Sequence, residues 1–214
     1  PYTTLFRSFL TYAEWAFPKF INYNLILEIS DIIDFENDPA WSDPFIKNGL
    51  DWKGKYYALT LGTGVNIAEG IWYNKSIISK EGLVDPYDLY IDNNWTWDTF
   101  LDTAVKTTKD TNSDGLIDQW GLTTNQPYGG YAIIMSNFGE LVKYDGQQFI
   151  SNLNDPRVIK GLSFIESLYN FHKVIKVDLK QNPRAEFSKG NIAMSLQNYN
   201  YGELFKNAGM TNLG

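Results

Sequence analysis

Apolar positions change their spacing several times along the chain, and each change marks an element. Between Trp15 and Asp34 the residues Phe17, Phe20, Ile21 and Leu25 recur at helical intervals, and Leu27, Ile29, Ile32 and Ile33 then shift register near Asn22 to Asn24. This predicts a short helix, a turn and a second element. Asp38 to Pro44, with two prolines around Trp41, has loop chemistry. Gly54 to Leu61 is rich in β-formers and predicts a turn followed by a strand, and a second apolar run, Ala68 to Tyr73, ends at Asn74-Lys75.

The clearest local pattern follows. Thr96 suits an N-cap, Asp98 falls in the first turn where the helix dipole favours an anion, and Trp97, Phe100, Leu101, Ala104 and Val105 form one stripe. A helix from Trp97 to Lys109 is predicted. Ala132 to Leu141 is apolar, and LVKYDGQQFI reads as a hairpin around Asp145-Gly146. Asp155-Pro156 opens a second long helix carrying Val158, Ile159, Leu162, Ile165, Leu168 and Tyr169 on one face. IAMSL at 192 to 196 has the compact apolar character of a buried strand. Strands and helices alternate without an internal repeat, so the class is α/β.

Composition narrows the partners. With 214 residues, 43% hydrophobic and 16% aromatic, the chain can bury a sizeable core in one or two domains. Lys and Arg number 18 against 25 Asp and Glu, a net charge of -7, which repels phosphate backbones and argues against nucleic acid. Without cysteine there is no disulfide or thiolate chemistry. The opening run PYTTLFRS, residues 1–8, matches a translated DNA-sequencing adapter and is set aside from fold reasoning.

The segment DTNSDGLIDQWG places oxygen-bearing groups at Asp110, Asn112, Asp114, the carbonyl of Leu116 and Asp118, with Gly115 at the sharp turn. That is the spacing of a loop wrapped round Ca2+. The twelfth position, where a bidentate Glu would close the site, is Gly121, so Gln119 and water would have to complete the shell. The same residues also suit a plain Asn/Asp/Gly turn without metal. Seven Trp and 14 Tyr supply rings on which sugar faces can stack, and the loops NQPYGG and QNYNY add amides and hydroxyls; Trp97 and Trp120 read as structural. The single histidine, His172, lies on the second long helix with nothing to make it a general base, and no nucleophile elbow, zinc motif or phosphate loop is present. For catalysis the residues offer little.

Taken in order, WKGKYYALTL, GIWYNKSIISKEGL, NNWTWDTFLDTAVKTTKDTNSDGLIDQWGL, SNFGELVKYDGQQF and FSKGNIAMSL resemble the landmarks of the family 1 extracellular solute-binding proteins, the maltose-binding-protein-like receptors of ABC sugar importers. The resemblance runs from about Thr11 to the end of the chain. It implies a two-lobed, type II periplasmic-binding-protein-like α/β fold that closes on a sugar and signals to a membrane permease. On that pattern residues 9–66 form part of the first lobe and 67–214 the second lobe without its C-terminal part, a chain truncated at both ends.

The resemblance carries ligand-binding roles to Tyr128, in QPY, and to Tyr199 or Tyr201, where a stacking tryptophan is common in the family. It also points to Glu14 and Trp15 after the first-lobe strand and to Asn66 beside the lobe crossing. A structural Ca2+ at 110–119 matches a loop seen in some members. The implied role is a monomer capturing an oligosaccharide for ABC permease subunits, either periplasmic or extracellular and tethered as a lipoprotein. A carbohydrate-active enzyme or a calcium-stabilised surface interaction domain are the alternatives.

Overall fold

The computed structural model describes residues 8–9, 17–42, 47, 50–60, 69–125, 128–145, 147–176 and 182–214. The chain divides into two compact units, Pro1–Asn66 and Ile67–Gly214.

In the first unit a single helical turn, α1 (Lys19–Asn22), stands where the apolar spacing places a short helix. Asn24, at φ 53°, turns the chain away, and the Leu25 amide donates to the Phe20 carbonyl at 2.8 Å. The second element expected before Asp34 does not form. From Leu25 to Trp41 the backbone passes through turns and bends. Asp34 Oδ1 accepts the amides of Glu36 and Asn37 at 3.1 and 3.0 Å, a local alternative to regular structure. The strand expected over Gly54–Leu61 is also shorter: β1 (Asp51–Trp52) and β2 (Lys55–Tyr56) form a small hairpin. Lys53 and Gly54 turn it with φ of 56° and 76°, the left-handed pair whose twist suits a tight hairpin. Phe35 stacks on Tyr56 with centroids 4.0 Å apart, and Leu50, Ile29, Ile33 and Trp41 complete this small core.

The second unit begins with β3 (Gly70–Tyr73), α2 (Lys75–Lys80), α3 (Pro86–Ile91) and α4 (Trp97–Thr107). Next come β4 (Trp120–Thr124), α5 (Tyr128–Ser136), the hairpin β5 (Val142–Tyr144) and β6 (Phe149–Ser151), and α6 (Pro156–Glu166), which runs into a π-helical turn at Ser167–Phe171. The unit ends with α7 (Pro183–Phe187), β7 (Ile192–Gln197), a 3-10 turn at Tyr199–Tyr201 and α8 (Gly202–Asn207). Asn74, Asp85, Thr96, Asp155 and Asn182 each cap the helix that follows, and Pro86, Pro156 and Pro183 occupy first turns where a missing amide costs nothing. At α4 the cap is a reciprocal box between Thr96 and Thr99.

The sheet order is β3-β7-β4, with β3 antiparallel and β4 parallel to β7. All six residues of β7 are buried, as expected of a central strand covered on both faces. Tyr73, Leu122, Met194 and Leu196 of the sheet meet Phe100, Ala104, Ile133 and Leu168 in the main core. Phe187, Ile192, Phe205 and Met210 form a second cluster with Trp72 and Trp120. A Cβ on Gly121 would lie 2.1 Å from the Ala104 carbonyl oxygen, so glycine lets α4 rest directly on β4.

Candidate functional site

Because β4 and β7 are parallel, their carboxyl ends share one edge of the sheet, and the antiparallel β3 begins there. Gly70 stands opposite Gln197, and Thr124 beside Leu196. In open α/β sheets this is the end at which ligands bind. One loop leaves Thr124 through Asn125 toward Tyr128, the first residue of α5; another leaves Gln197 through Asn198 into the Tyr199–Tyr201 turn. The fold therefore gathers the chain positions of Tyr128, Tyr199 and Tyr201 at one end of the sheet. Glu14, Trp15, Asn66 and the Gln126-Pro127 pair lie outside the described residues.

The second loop is firmly anchored. Asn198 Oδ1 accepts the Asn200 amide at 3.0 Å, and the Trp72 indole N–H donates to the Asn198 carbonyl at 3.2 Å. Gly202 sits against Trp72, where a Cβ would come within 2.6 Å of the indole. Tyr199 is left 46% exposed, enough for one ring face to meet a ligand. Tyr201 is half-buried, with the Arg184 guanidinium carbon 3.8 Å from its ring centroid, a cation–π contact.

Toward this end of the sheet several buried polar atoms have no hydrogen-bond partner: Thr124 Oγ1, Gln197 Nε2 and Oε1, Ser195 Oγ, Glu69 Oε2 and, in the side chain held against the Tyr201 ring, Arg184 Nε. Gln197 and Ser195 are fully buried. Burial pushes the Glu69 carboxyl above its ordinary acidity range, and the positive charge of Arg184 pulls it part of the way back. Sequence reading missed Glu69 and Arg184, and took in Gln197 only as the first residue of the QNYNY loop. The one available signal was Gln197 itself, an amide that ends an otherwise apolar strand.

A cavity of about 830 Å³ lies beside α4, α5 and α6, with Trp95, Trp97, Phe100, Ile133, Phe164 and Leu196 in its wall. Phe100, Ile133 and Leu196 belong to the main core, and Glu69, Asp98 and Lys160 bring charged groups to the same wall, so the cavity is a core opening of mixed polar and apolar character. Trp97 packs on Phe164 and its indole N–H donates to Ser136 Oγ at 3.0 Å, in keeping with a structural role.

The Asp110–Gln119 loop is closed at its base by a β-bridge between Lys109 and Gln119. Inside it the side chains hold the loop's own backbone: Asp110 accepts the amides of Asp114 and Gly115 at 3.2 and 2.7 Å, and Asp114 accepts that of Leu116 at 2.8 Å. Asn112 Oδ1 accepts the Asp114 amide at 3.0 Å. Ser113 and Gly115 take φ of 63° and 88° to make the tight curve. The Thr111 amide and hydroxyl both donate to Asp118 at 2.9 Å, which holds the Asp118 carboxyl below its ordinary range. Gln119 is placed differently from expectation: it is buried, and its Nε2 donates to Glu81 and to the Thr107 carbonyl, each at 3.0 Å. Among the described residues no three acidic or histidine side chains form a metal-binding group. The absent twelfth-position ligand has a packing cause, since any side chain at Gly121 would strike Ala104.

A family model described as "Bacterial extracellular solute-binding protein" matches residues 9–211. No curated protein matches the chain. Among solved structures, the maltose/maltodextrin-binding domain MalE from Bdellovibrio bacteriovorus, bound to maltotriose, is 25% identical with a TM-score of 0.64, covering 92% of this chain and 47% of that one. The ABC substrate-binding protein Lmo0181 from Listeria monocytogenes, in complex with cycloalternan, is 21% identical with a TM-score of 0.65, covering 90% and 47%. UgpB from Mycobacterium tuberculosis, in complex with glycerophosphocholine, is 13% identical with a TM-score of 0.65, covering 92% and 48%. The chain thus spans about half the length of the solved proteins it resembles.

Proposed function

The chain belongs to the bacterial extracellular solute-binding protein family, and from that premise we propose that it serves as the substrate-binding component of an ABC importer, capturing an oligosaccharide without making or breaking a bond. The observation that carries this reading is the meeting of Tyr199, Tyr201 and unpartnered polar groups at the carboxyl ends of two parallel strands. Aromatic faces answer the C–H faces of sugar rings, and the polar groups answer hydroxyls. The solved relative at 25% identity holds maltotriose, which supports a glucan-like cargo.

In this role the receptor works as a monomer and delivers its cargo to membrane permease subunits, from the periplasm or from the outer surface under a lipid anchor. Among the described residues no helix is long and apolar enough to cross a membrane. The test is binding of oligosaccharides to the protein expressed from its complete gene, read by calorimetry. Saturable binding of one sugar class supports the reading, and turnover of a glycan contradicts it.

We also propose that the Asp110–Asp118 loop takes up Ca2+ as a structural ion. Support comes from the alternating oxygen groups of Asp110, Asn112 and Asp114 and from the left-handed Ser113 and Gly115 that curl them into one loop. Calcium there would stiffen the link between α4 and β4.

A further inference from the structure

Strand β3 lies at the edge of its sheet, and its outer side is only partly used. Asn74 donates its amide inward, to the Ala193 carbonyl at 2.8 Å, whereas Tyr73 exchanges both of its backbone bonds outward with Gly214, each at 3.0 Å. Backbone groups alternate in this way along an antiparallel strand, so Ile71, two residues before Tyr73, also turns its N–H and C=O outward. Among the described residues nothing pairs with Ile71 on that side. An open edge of this kind is a template for another strand.

The chain has already begun to fill it. The Lys75 amide donates to the Asn212 carbonyl at 3.0 Å, Leu213 bridges Asn74 in antiparallel register, and Gly214 completes the pair with Tyr73. Side chains alternate between the two faces as a strand requires. Leu213 packs on the second cluster with Trp72, while Gly214 lies under the Tyr73 ring, which a Cβ there would meet at 2.0 Å.

Past Gly214 the open edge borders a trench. A cavity of about 490 Å³, with Tyr73, Tyr87, Tyr90 and Trp95 in its wall, adjoins the larger one beside α4, and Ile71 and Trp95 stand in the walls of both. Tyr87 and Tyr90 are exposed on α3 one helical turn apart, so this rim presents apolar surface with nothing over it among the described residues.

We propose that the edge of β3 and its trench are the docking site of a further strand of the same polypeptide, the stretch that continues directly from Gly214 in the complete protein. The solved relatives are about twice as long, which leaves ample chain for it, and the pairing at Asn212 to Gly214 sets its register. The first residue past Gly214 joins Leu213 on the Trp72 face; the second pairs with Ile71 and sends an apolar side chain into the trench. Running antiparallel to β3, this strand heads for the end of the sheet where β3 begins, and so brings later residues of the chain to the candidate site.

The experiment uses the protein expressed from its complete gene. Amide hydrogen exchange is measured at Ile71 by NMR, with Trp72, which pairs inward with Ser195, as the protected reference. The inference expects Ile71 to be slowed on the order of a hundredfold or more, as Trp72 is. Free exchange at Ile71 beside a protected Trp72 overturns it. To identify the occupant, Ile71→Cys is combined in turn with a cysteine at the second and at the third residue past Gly214; the 214 residues hold no cysteine of their own to compete. A disulfide within one chain is expected at the second position and none at the third, whose side chain points to the opposite face. A disulfide joining two chains would give the edge to a second copy, and no disulfide at the second position in a folded protein would give it to some other occupant; either overturns the inference. The receptor reading is untouched by these outcomes, because none of them depends on sugar.

Discussion

The indole of Trp97 lies nearly parallel to the ring of Phe164, with 4.5 Å between centroids and 10° between planes. This stack ties the first turn of α4 to α6 across the mouth of the core opening, and Lys160 extends it with its ammonium 5.6 Å from the indole centroid. Trp97→Ala should lower stability by about 2 to 3 kcal/mol, through lost area and lost ring contact. Trp97→Phe should lose less than half of that. The urea midpoint measures both.

Gly121 offers a sharper test of the α4–β4 contact. The Ala104 carbonyl is backbone and cannot move aside for a new Cβ. Gly121→Ala is therefore expected to cost about 3 kcal/mol or more, at the upper end of overpacking effects. Gly54→Ala meets no neighbouring atom and incurs only the strain of its positive φ, so it should be milder. Paired thermal melts compare the two.

Glu81 sets an acid limit. Its carboxyl is held below the ordinary value of 4.5, first by the Lys109 ammonium and then by the Gln119 amide, against the opposing effect of burial. A carboxyl with a lowered folded pKa contributes stability that is fully present above its unfolded value and is lost as pH falls through the folded value. Glu81→Gln should therefore lose stability near pH 7 and show a flatter decline from about pH 5 to about pH 3 than wild type. Denaturation midpoints across that range measure the slope.

These elements differ in how plainly the sequence announced them. The helix at Trp97 was legible because cap, dipole and stripe agree, and it ends at Thr107 because Lys109 joins the bridge to Gln119. The buried strand at Ile192 was legible from its unbroken apolar run. Strand β4 was not, since Trp-Gly-Leu-Thr-Thr has neither clean alternation nor an apolar run; its Gly answers a packing demand from Ala104. The first unit was least legible, because the Asp34 and Asp38 side chains bind the backbone beside them and displace regular structure.

The site was legible only as chain positions. Tyr199 and Tyr201 stood out as rings in a polar loop, but Arg184, 17 residues from Tyr201 in sequence, joins them only through the fold of α7 back along β7. No local pattern encodes that contact.

Calcium is expected to raise the thermal midpoint of the wild-type protein at millimolar concentration, and EDTA to reverse it, by binding only the folded loop. Asp114→Ala removes one ligand of the proposed set and should abolish the calcium response. It should also lower the midpoint in EDTA by a small amount, because the Leu116 amide loses its acceptor. An equal response in wild type and variant would dismiss the ion.

The central claim is sugar capture, and ligand-dependent thermal unfolding of the protein expressed from its complete gene tests it most directly. At a ligand concentration of one hundred times Kd, mass action stabilises the folded state by about 2.7 kcal/mol. The account predicts a raised midpoint with neutral oligosaccharides, maltotriose first among them, and a weaker response in Tyr201→Ala. An unchanged midpoint with every sugar, in a protein that unfolds cooperatively, would contradict it.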